Sequence, residues 1–216
     1  MATELSIGFN FRNKRYKDAQ AGLKALGTSL SLGVAKTAPV LRHELHDFLK
    51  TVAEALGERH KRRWPGGTTP NTLSMRTGRG IRSIEESVRV TGTTLDNIRG
   101  RIGASFRMKI HEKGGTIKAK RAKYLTIPLP AALDSRGVPW RRSARLWDNT
   151  FIRKSRKGNL IIFRKEPSGR VVPLYLLRKS VRIPPRLGMR KTLDAGLPFF
   201  VDRTTQRMLQ AMLKAL

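Results

Sequence analysis

An α+β fold, with an antiparallel sheet of four to six strands flanked by an N-terminal amphipathic helix and a C-terminal helix, follows from three observations. Apolar residues recur at spacings of three and four in two separate stretches, one before and one after the middle of the chain. Between them the period switches to two, in short runs punctuated by Gly and Pro. The gaps between those runs are too polar and too broken to hold crossover helices, so the strands pair antiparallel.

The elements follow in order. Glu4 to Phe9 alternates weakly and predicts a short strand, and Asp18 to Leu26 predicts a turn or two of helix. Val40, Leu41, Leu45, Phe48, Leu49, Val52 and Leu56 make the apolar face of a helix of about five turns. Arg42, Glu44, Asp47, Lys50 and Glu54 fill its polar face. Thr37 reads as its cap, Pro39 as a first-turn residue and Gly57 as its end. Lys61 to Gly80 is loop, broken by Pro65, Gly66, Gly67 and Pro70. Ile84, Glu86, Val88 and Val90 share one face of a predicted strand, which turns at Gly92–Asp96 and returns over Asn97–Gly103. Tyr124–Ile127 is a further strand, stopped by Pro128 and Pro130. Residues 131–158 form a polar, basic loop or insertion within a single domain spanning 1–216. Asn159–Phe163 and Arg170–Leu174 pair as a hairpin across Pro167-Ser168-Gly169, and Val181–Ile183 ends at Pro184-Pro185. The tail from Arg190 is helical, with its main start at Pro198. Its apolar side is Val201, Thr205, Met208, Leu209, Met212 and Leu216.

The chain carries 45 Lys and Arg against 15 Asp and Glu, a formal charge of +30. Self-repulsion at that charge destabilises a compact monomer, so a polyanion or a large assembly is expected beside it. Nucleic acid is the first candidate and an anionic membrane surface the next. The absence of cysteine excludes disulfides, zinc–thiolate sites and thiol nucleophiles. Met1 to Phe11 lacks a basic region followed by an apolar run, and no apolar run approaches the length of a membrane span. A soluble protein, made and used inside a cell, is expected.

Catalytic patterns are weak. His43-Glu44-Leu45-His46 spaces its histidines by three, not the four that would place both on one helix face around a zinc ion. Surface histidines are the simpler reading. His111-Glu112 has neither an orienting partner nor an adjacent nucleophile. Asp96, Glu112, Asp134, Asp148 and Glu166 are scattered, without the clustered carboxylates of two-metal phosphoryl chemistry. Gly78-Arg79-Gly80 lacks the spacing and the Lys-Ser/Thr of a phosphate loop. No enzyme activity, cofactor or metal is expected.

Three segments stand out. Thr77-Gly78 is followed by Ser83-Ile84, and a basic hairpin then leads to Ile110-His111-Glu112-Lys113-Gly114-Gly115-Thr116-Ile117 and to Tyr124-Leu125-Thr126-Ile127-Pro128. By itself Gly114-Gly115 signals a tight turn between strands. Together the segments resemble the tail-completion, or neck, proteins of tailed bacteriophages, a group that includes the virion morphogenesis and minor tail protein families. The resemblance spans roughly residues 40–216, with Leu176 to Arg186 similar to the closing strand before the family's last helix. Phe106-Arg107-Met108-Lys109 and the long 131–158 segment depart from the family pattern. The family-motif residues Thr77, Gly78, Ser83, Ile84, His111, Glu112, Gly114 and Gly115 are implied to be structural.

The resemblance implies a structural virion protein, assembled in the host bacterial cytoplasm as a homo-oligomeric ring at the top of the tail. Six copies would match a tail tube and twelve a portal; six is preferred. Its implied partners are the tail tube or terminator, the head-completion or portal-side proteins, and packaged double-stranded DNA, with no membrane. Basic clusters suit contact with the phosphate backbone rather than base readout. The candidate nucleic-acid- or partner-facing residues are Lys118, Lys120, Arg121, Lys123, Arg141, Arg142, Arg153, Lys154, Arg156 and Lys157, with Lys118–Lys123 and Arg153–Lys157 expected in loops. Stacking of single strands would need interleaved aromatics, for which Trp64, Trp140, Trp147 and Phe151 are the local candidates. Two alternatives stand: a sequence-independent nucleic-acid-binding protein, and a metal-dependent nuclease.

Overall fold

A computed structural model describes residues 9–11, 14–16, 19–64 and 68–214. In chain order it comprises β1 (Phe9–Phe11), β2 (Lys14–Tyr16), α1 (Ala19–Arg59), α2 (Arg79–Glu85), β3 (Arg89–Thr91), β4 (Arg99–Arg101), α3 (Lys109–Lys113), β5 (Gly115–Lys118), β6 (Leu125–Pro128), β7 (Thr150–Lys154), β8 (Leu160–Lys165), β9 (Val171–Arg178), β10 (Ser180–Ile183) and α4 (Met189–Leu213). The fold class is α+β. One sheet has the order β6-β9-β8-β7, and β1-β2, β3-β4 and β5-β10 form separate two-stranded ladders. Every strand pair is antiparallel.

The chain groups into two compact units. The first takes Met1–Ala53, Ser87–Gly103 and Lys191–Leu216; the second takes Glu54–Glu86 and Ala104–Arg190. Of the four boundaries, one falls inside α1, one between α2 and β3, one just after β4 and one near the start of α4. The strand expected over Glu4–Phe9 lies outside the described residues except at Phe9, as do Leu216 and the Pro65–Gly67 part of the loop.

In the first unit α1 is much longer than the expected five turns. It starts at Ala19 and runs through Pro39 to Arg59. Pro39 brings no N–H, so it leaves the fourth carbonyl before it without its helical donor. Thr37 does not cap: its hydroxyl donates to the Val34 carbonyl at 2.6 Å. The residues before Pro39 are rich in Ala and Leu, good helix formers that carry the helix upstream. Leu49, Val52, Ala53, Val88 and Ile98 form the buried core. β4 crosses α1 so closely that a Cβ at Gly100 would stand 2.9 Å from Leu45 and Leu49 side-chain atoms. Phe48 stacks on Phe200 of α4 with ring centroids 4.8 Å apart.

The spacing puts Glu44 on the polar face, but the structure buries it completely. Two residues of α4 explain this. Arg203 Nε lies 2.8 Å from one carboxylate oxygen, and Arg207 Nη1 pairs with the other. α4 is also longer than expected, with Pro198 inside it. Its inward side holds Phe200, Arg203, Thr204 and Met208, while Val201 and Leu209 of the expected apolar side are exposed. The stack and the ion pairs set the rotation of this helix, and a count of apolar residues does not register them.

In the second unit α2 replaces the first half of a predicted strand. Ile81, Ile84 and Val88 are spaced three and four apart, and this helical period prevails through Glu85; β3 holds only Arg89–Thr91. Gly78, at φ +72°, turns the chain into α2. The four-stranded sheet packs Leu174 and Tyr175 against Ala132, with Trp147, Ile162 and Val172 around them. Trp147 donates its indole N–H to the Tyr175 hydroxyl at 3.1 Å. Each large apolar side chain buried this way contributes about 1.5–3 kcal/mol. Pro173 sits in a central strand, which Pro normally avoids. It pairs with Phe163 at the register shift after Ile162, beyond the end of β6. The 131–158 segment is only partly loop: residues 130–132 and 144–146 form single 3-10 turns, and β7 is the outer strand of the sheet.

Candidate nucleic-acid interface

The second unit holds 30 of the 45 Lys and Arg and 8 of the 15 acidic residues, so most of the positive charge sits there. All ten predicted contact residues lie in it, and all ten are exposed. Their local structure differs from expectation. Lys118 ends β5; Lys120, Arg121 and Lys123 occupy the turn that follows. Arg153 and Lys154 are on β7, and only Arg156 and Lys157 lie in the β7–β8 turn. Alternate strand residues point to opposite faces. Arg153 shares a row with Ile161, Leu176 and Ile127, while Lys154 shares one with Leu160, Leu177 and Thr126. A contiguous sequence cluster is therefore divided between two faces of the sheet.

On the Lys154 face an open groove of about 820 Å³ runs between the sheet and the 143–145 turn. Lys123 and Arg145 stand on its walls, with Tyr124, Ile152, Ile162 and Leu177 among the other residues. Arg145 was not singled out from sequence, nor was Arg164, whose guanidinium lies 5.3 Å from the Trp147 ring centroid on this side of the sheet. Their signal was the basic tract, in which nothing marks one cation over another. Arg141 also lies over Trp147, at 6.0 Å, and Lys123 over Tyr124, at 5.8 Å. Among the described residues none of the ten is ion-paired. Of the proposed stacking aromatics, Trp147 is engaged with Tyr175 and Phe151 stacks on Phe163 at 5.8 Å. Trp140 is exposed.

The motif residues act as structure. Ile84 is fully buried. Ser83 donates to the Gly80 carbonyl at 2.7 Å and accepts from the Ser105 N–H at 3.1 Å. The Gly114-Gly115 turn does not join two strands, as expected, but α3 to β5. Gly114 has φ +70°, and a Cβ there would stand 2.9 Å from Pro185 Cδ. The His111 carbonyl accepts from the Arg186 and Leu187 N–H groups at 2.7 and 2.8 Å. Glu112 accepts from Met189 N–H at 2.8 Å and from Arg190 N–H at 3.0 Å. The carboxylate thus caps α4 from a distant point in sequence and complements its dipole. Glu112→Ala should lower the unfolding free energy by about 1–3 kcal/mol, with Glu112→Gln intermediate, as read by chemical denaturation.

Two of the other candidate carboxylates, Asp96 and Asp134, are engaged locally. Asp134 accepts from the Val138 and Arg136 N–H groups at 2.8 and 2.9 Å and pairs with the Arg136 side chain. The Val138 bond is foremost in holding its pKa below the usual range. Asp96 is lowered mainly by the Thr94 side chain. His43 and His46 are exposed beside Asp47, as surface histidines. Among the described residues no three His, Cys, Asp or Glu side chains gather where a metal could bind. No described helix is long and apolar enough to cross a membrane.

Two histidines are buried or partly so. His60 bridges the Leu187 carbonyl through Nε2 and the Leu73 N–H through Nδ1, each at 3.0 Å. Its pKa is lowered, chiefly by burial, with Arg59 acting in the same direction. His111 is lowered by burial and by Arg186. The unfolded chain therefore binds more protons than the folded one below the ordinary histidine pKa of about 6.5. Stability present above that pH is lost as pH falls toward the folded values. Urea midpoints should drop between about pH 7 and pH 5, and His60→Leu should flatten part of that dependence.

Compared with protein-family models, curated proteins and solved structures, the chain matches none. The functional reading therefore rests on its own charge, surface and motifs.

Proposed function

We propose that this chain is a structural subunit of the tailed-phage neck, forming a ring at the top of the tail around the exiting DNA, completing the tail and joining it to the filled head. The observation that carries the reading is the exposed set of ten cations in the second unit, none of them ion-paired among the described residues. A polyanion threaded past them would offset the repulsion of a +30 chain. A second feature supports assembly. Leu23, Leu30 and Val34 form an exposed apolar stripe on α1, and Leu197, Val201, Leu209 and Leu213 form another on α4. Exposed apolar surface of this kind marks contact with other chains. In a ring each copy offers two different faces to its neighbours. Six copies are preferred over twelve. The motif residues supply folding contacts, as a structural part requires.

Electron microscopy of particles made without this gene tests the reading: filled heads beside unjoined tails, or joined particles that do not function, are expected. Normal infectious particles would overturn it. The charge also favours a free-standing, sequence-independent nucleic-acid-binding protein. Mass at high salt separates the two, because a ring or tail-bound form is expected here and a monomer there. Plasmid cleavage with magnesium, lost on replacing a carboxylate, would instead establish the nuclease.

A further inference from the structure

A second cavity, of about 440 Å³, opens in the second unit away from the sheet groove. Its volume falls within the range of about 300–1,000 Å³ typical of small-molecule sites. Ser74, Arg76, Thr77, His111 and Arg186 are among its walls, and none of its lining residues is acidic. It gathers residues from two motif segments, Thr77 and Gly78 from one and His111 from another.

Three polar atoms of these walls are buried and, among the described residues, have no hydrogen-bond partner: Ser74 Oγ, His111 Nδ1 and Arg186 Nε. Buried polar atoms normally find partners, because leaving one unmade costs more than making the bond gains. His60, which also lines the cavity, differs: both of its ring nitrogens are already engaged, with Leu187 and Leu73. Arg186 and His111 are held beside each other by the main chain, through the bonds from Arg186 and Leu187 N–H to the His111 carbonyl. Among the described residues the Arg186 guanidinium has no carboxylate partner.

We propose that this cavity binds a phosphate group, with the Arg186 guanidinium, the Ser74 hydroxyl and the His111 ring as its three donors. A guanidinium offers paired N–H groups that match phosphate oxygens, and a hydroxyl and an imidazole N–H from other segments complete a tetrahedral acceptor. Arg76 adds positive charge at the wall. The volume leaves room for whatever the phosphate is attached to. That source is either a nucleic-acid backbone or a small phosphate ester; the chemistry of recognition is the same. The site lies in one unit, so it stands whether or not the chain is a neck subunit.

The test follows the His111 ring proton by NMR on the full chain, assigned by its loss in His111→Asn. Inorganic phosphate, a 5′-mononucleotide and a short DNA duplex are added separately at about 0.15 M salt, where long-range attraction to the surface is screened within roughly 8 Å. A saturable, one-to-one shift with inorganic phosphate is expected. Displacement of phosphate by the duplex assigns the backbone source, and displacement by the mononucleotide alone assigns the small ester. Arg186→Gln should weaken phosphate binding about tenfold or more, whereas Lys36→Gln, which removes one charge elsewhere, should leave it unchanged. Should Arg186→Gln melt early, Ser74→Ala repeats the comparison with about fivefold weakening expected. A His111 signal that none of the three probes moves, or equal weakening by the binding-site variant and Lys36→Gln, overturns the proposal.

Discussion

Replacing Arg153, Lys154, Arg156 and Lys157 together by Gln should weaken binding to duplex DNA by about five hundredfold at roughly 0.1 M salt. Each phosphate contact adds about 0.9 to the slope of log affinity against log salt; because Arg153 and Lys154 face opposite sides of the sheet, three of the four can contact one duplex, and their loss should flatten the slope by about 2.7. The four side chains are exposed, on or just after the outer strand of the sheet, and make no ion pair among the described residues. Their removal therefore breaks no internal interaction, and the melting temperature should hold. Three exposed lysines of α1, Lys24, Lys36 and Lys50, provide the comparison. If Gln at those positions costs as much affinity, the charge acts as a diffuse cloud and β7 is not a contact strand. Fluorescence anisotropy over a salt series gives both the loss and the slope. Arg153 and Lys154 face opposite sides of the sheet, so the single variants should differ in effect, with the larger loss naming the DNA-facing side.

The second large effect concerns stability. Arg203→Met with Arg207→Met should cost about 3–5 kcal/mol, a fall of roughly 6–20 °C in melting temperature. Met keeps much of the aliphatic length, so packing loss is small and the change isolates the charge. What remains is the Glu44 carboxylate, whose side chain is 1% exposed, with neither cation beside it. Glu44→Gln should cost less, about 1–2 kcal/mol, because the arginine side chains are 37% and 53% exposed and can hydrate. This asymmetry is the diagnostic. Equal losses from the two sides would mean that the buried acid is not the costly group.

Sequence and fold part company where two periodicities or two distant segments compete. β8 and β9 were legible because apolar β-branched and aromatic residues crowd around a Pro-Ser-Gly turn. The C-terminal half of α1 was legible because its apolar stripe is long and regular. The sequence places the α1 start too late because a proline two residues after a threonine, as in Thr37-Ala38-Pro39, is also the local signature of a helix beginning; only the hydroxyl-to-Val34 bond distinguishes the two. The stretch after Gly80 was misread because Ile84, Val88 and Val90 fit a strand while Ile81, Ile84 and Val88 fit a helix. The helical register keeps Ile84 wholly inside.

The basic residues of the candidate interface could be named from sequence, since charged side chains without partners end on the surface almost by necessity. Their division between sheet faces could not be read before the strand was known to reach Lys154. Composition alone determines the excess positive charge and the absence of thiol chemistry, because these depend on which residues are present and not on where they lie. Folding alone decides that Glu112 caps a helix 77 residues away, that Glu44 is buried between two arginines, and that Ser74, His111 and Arg186 share one cavity. Those pairings join residues remote along the chain, and a hydrogen bond or ion pair acts only over a few ångströms, so only the closed fold brings its partners within reach.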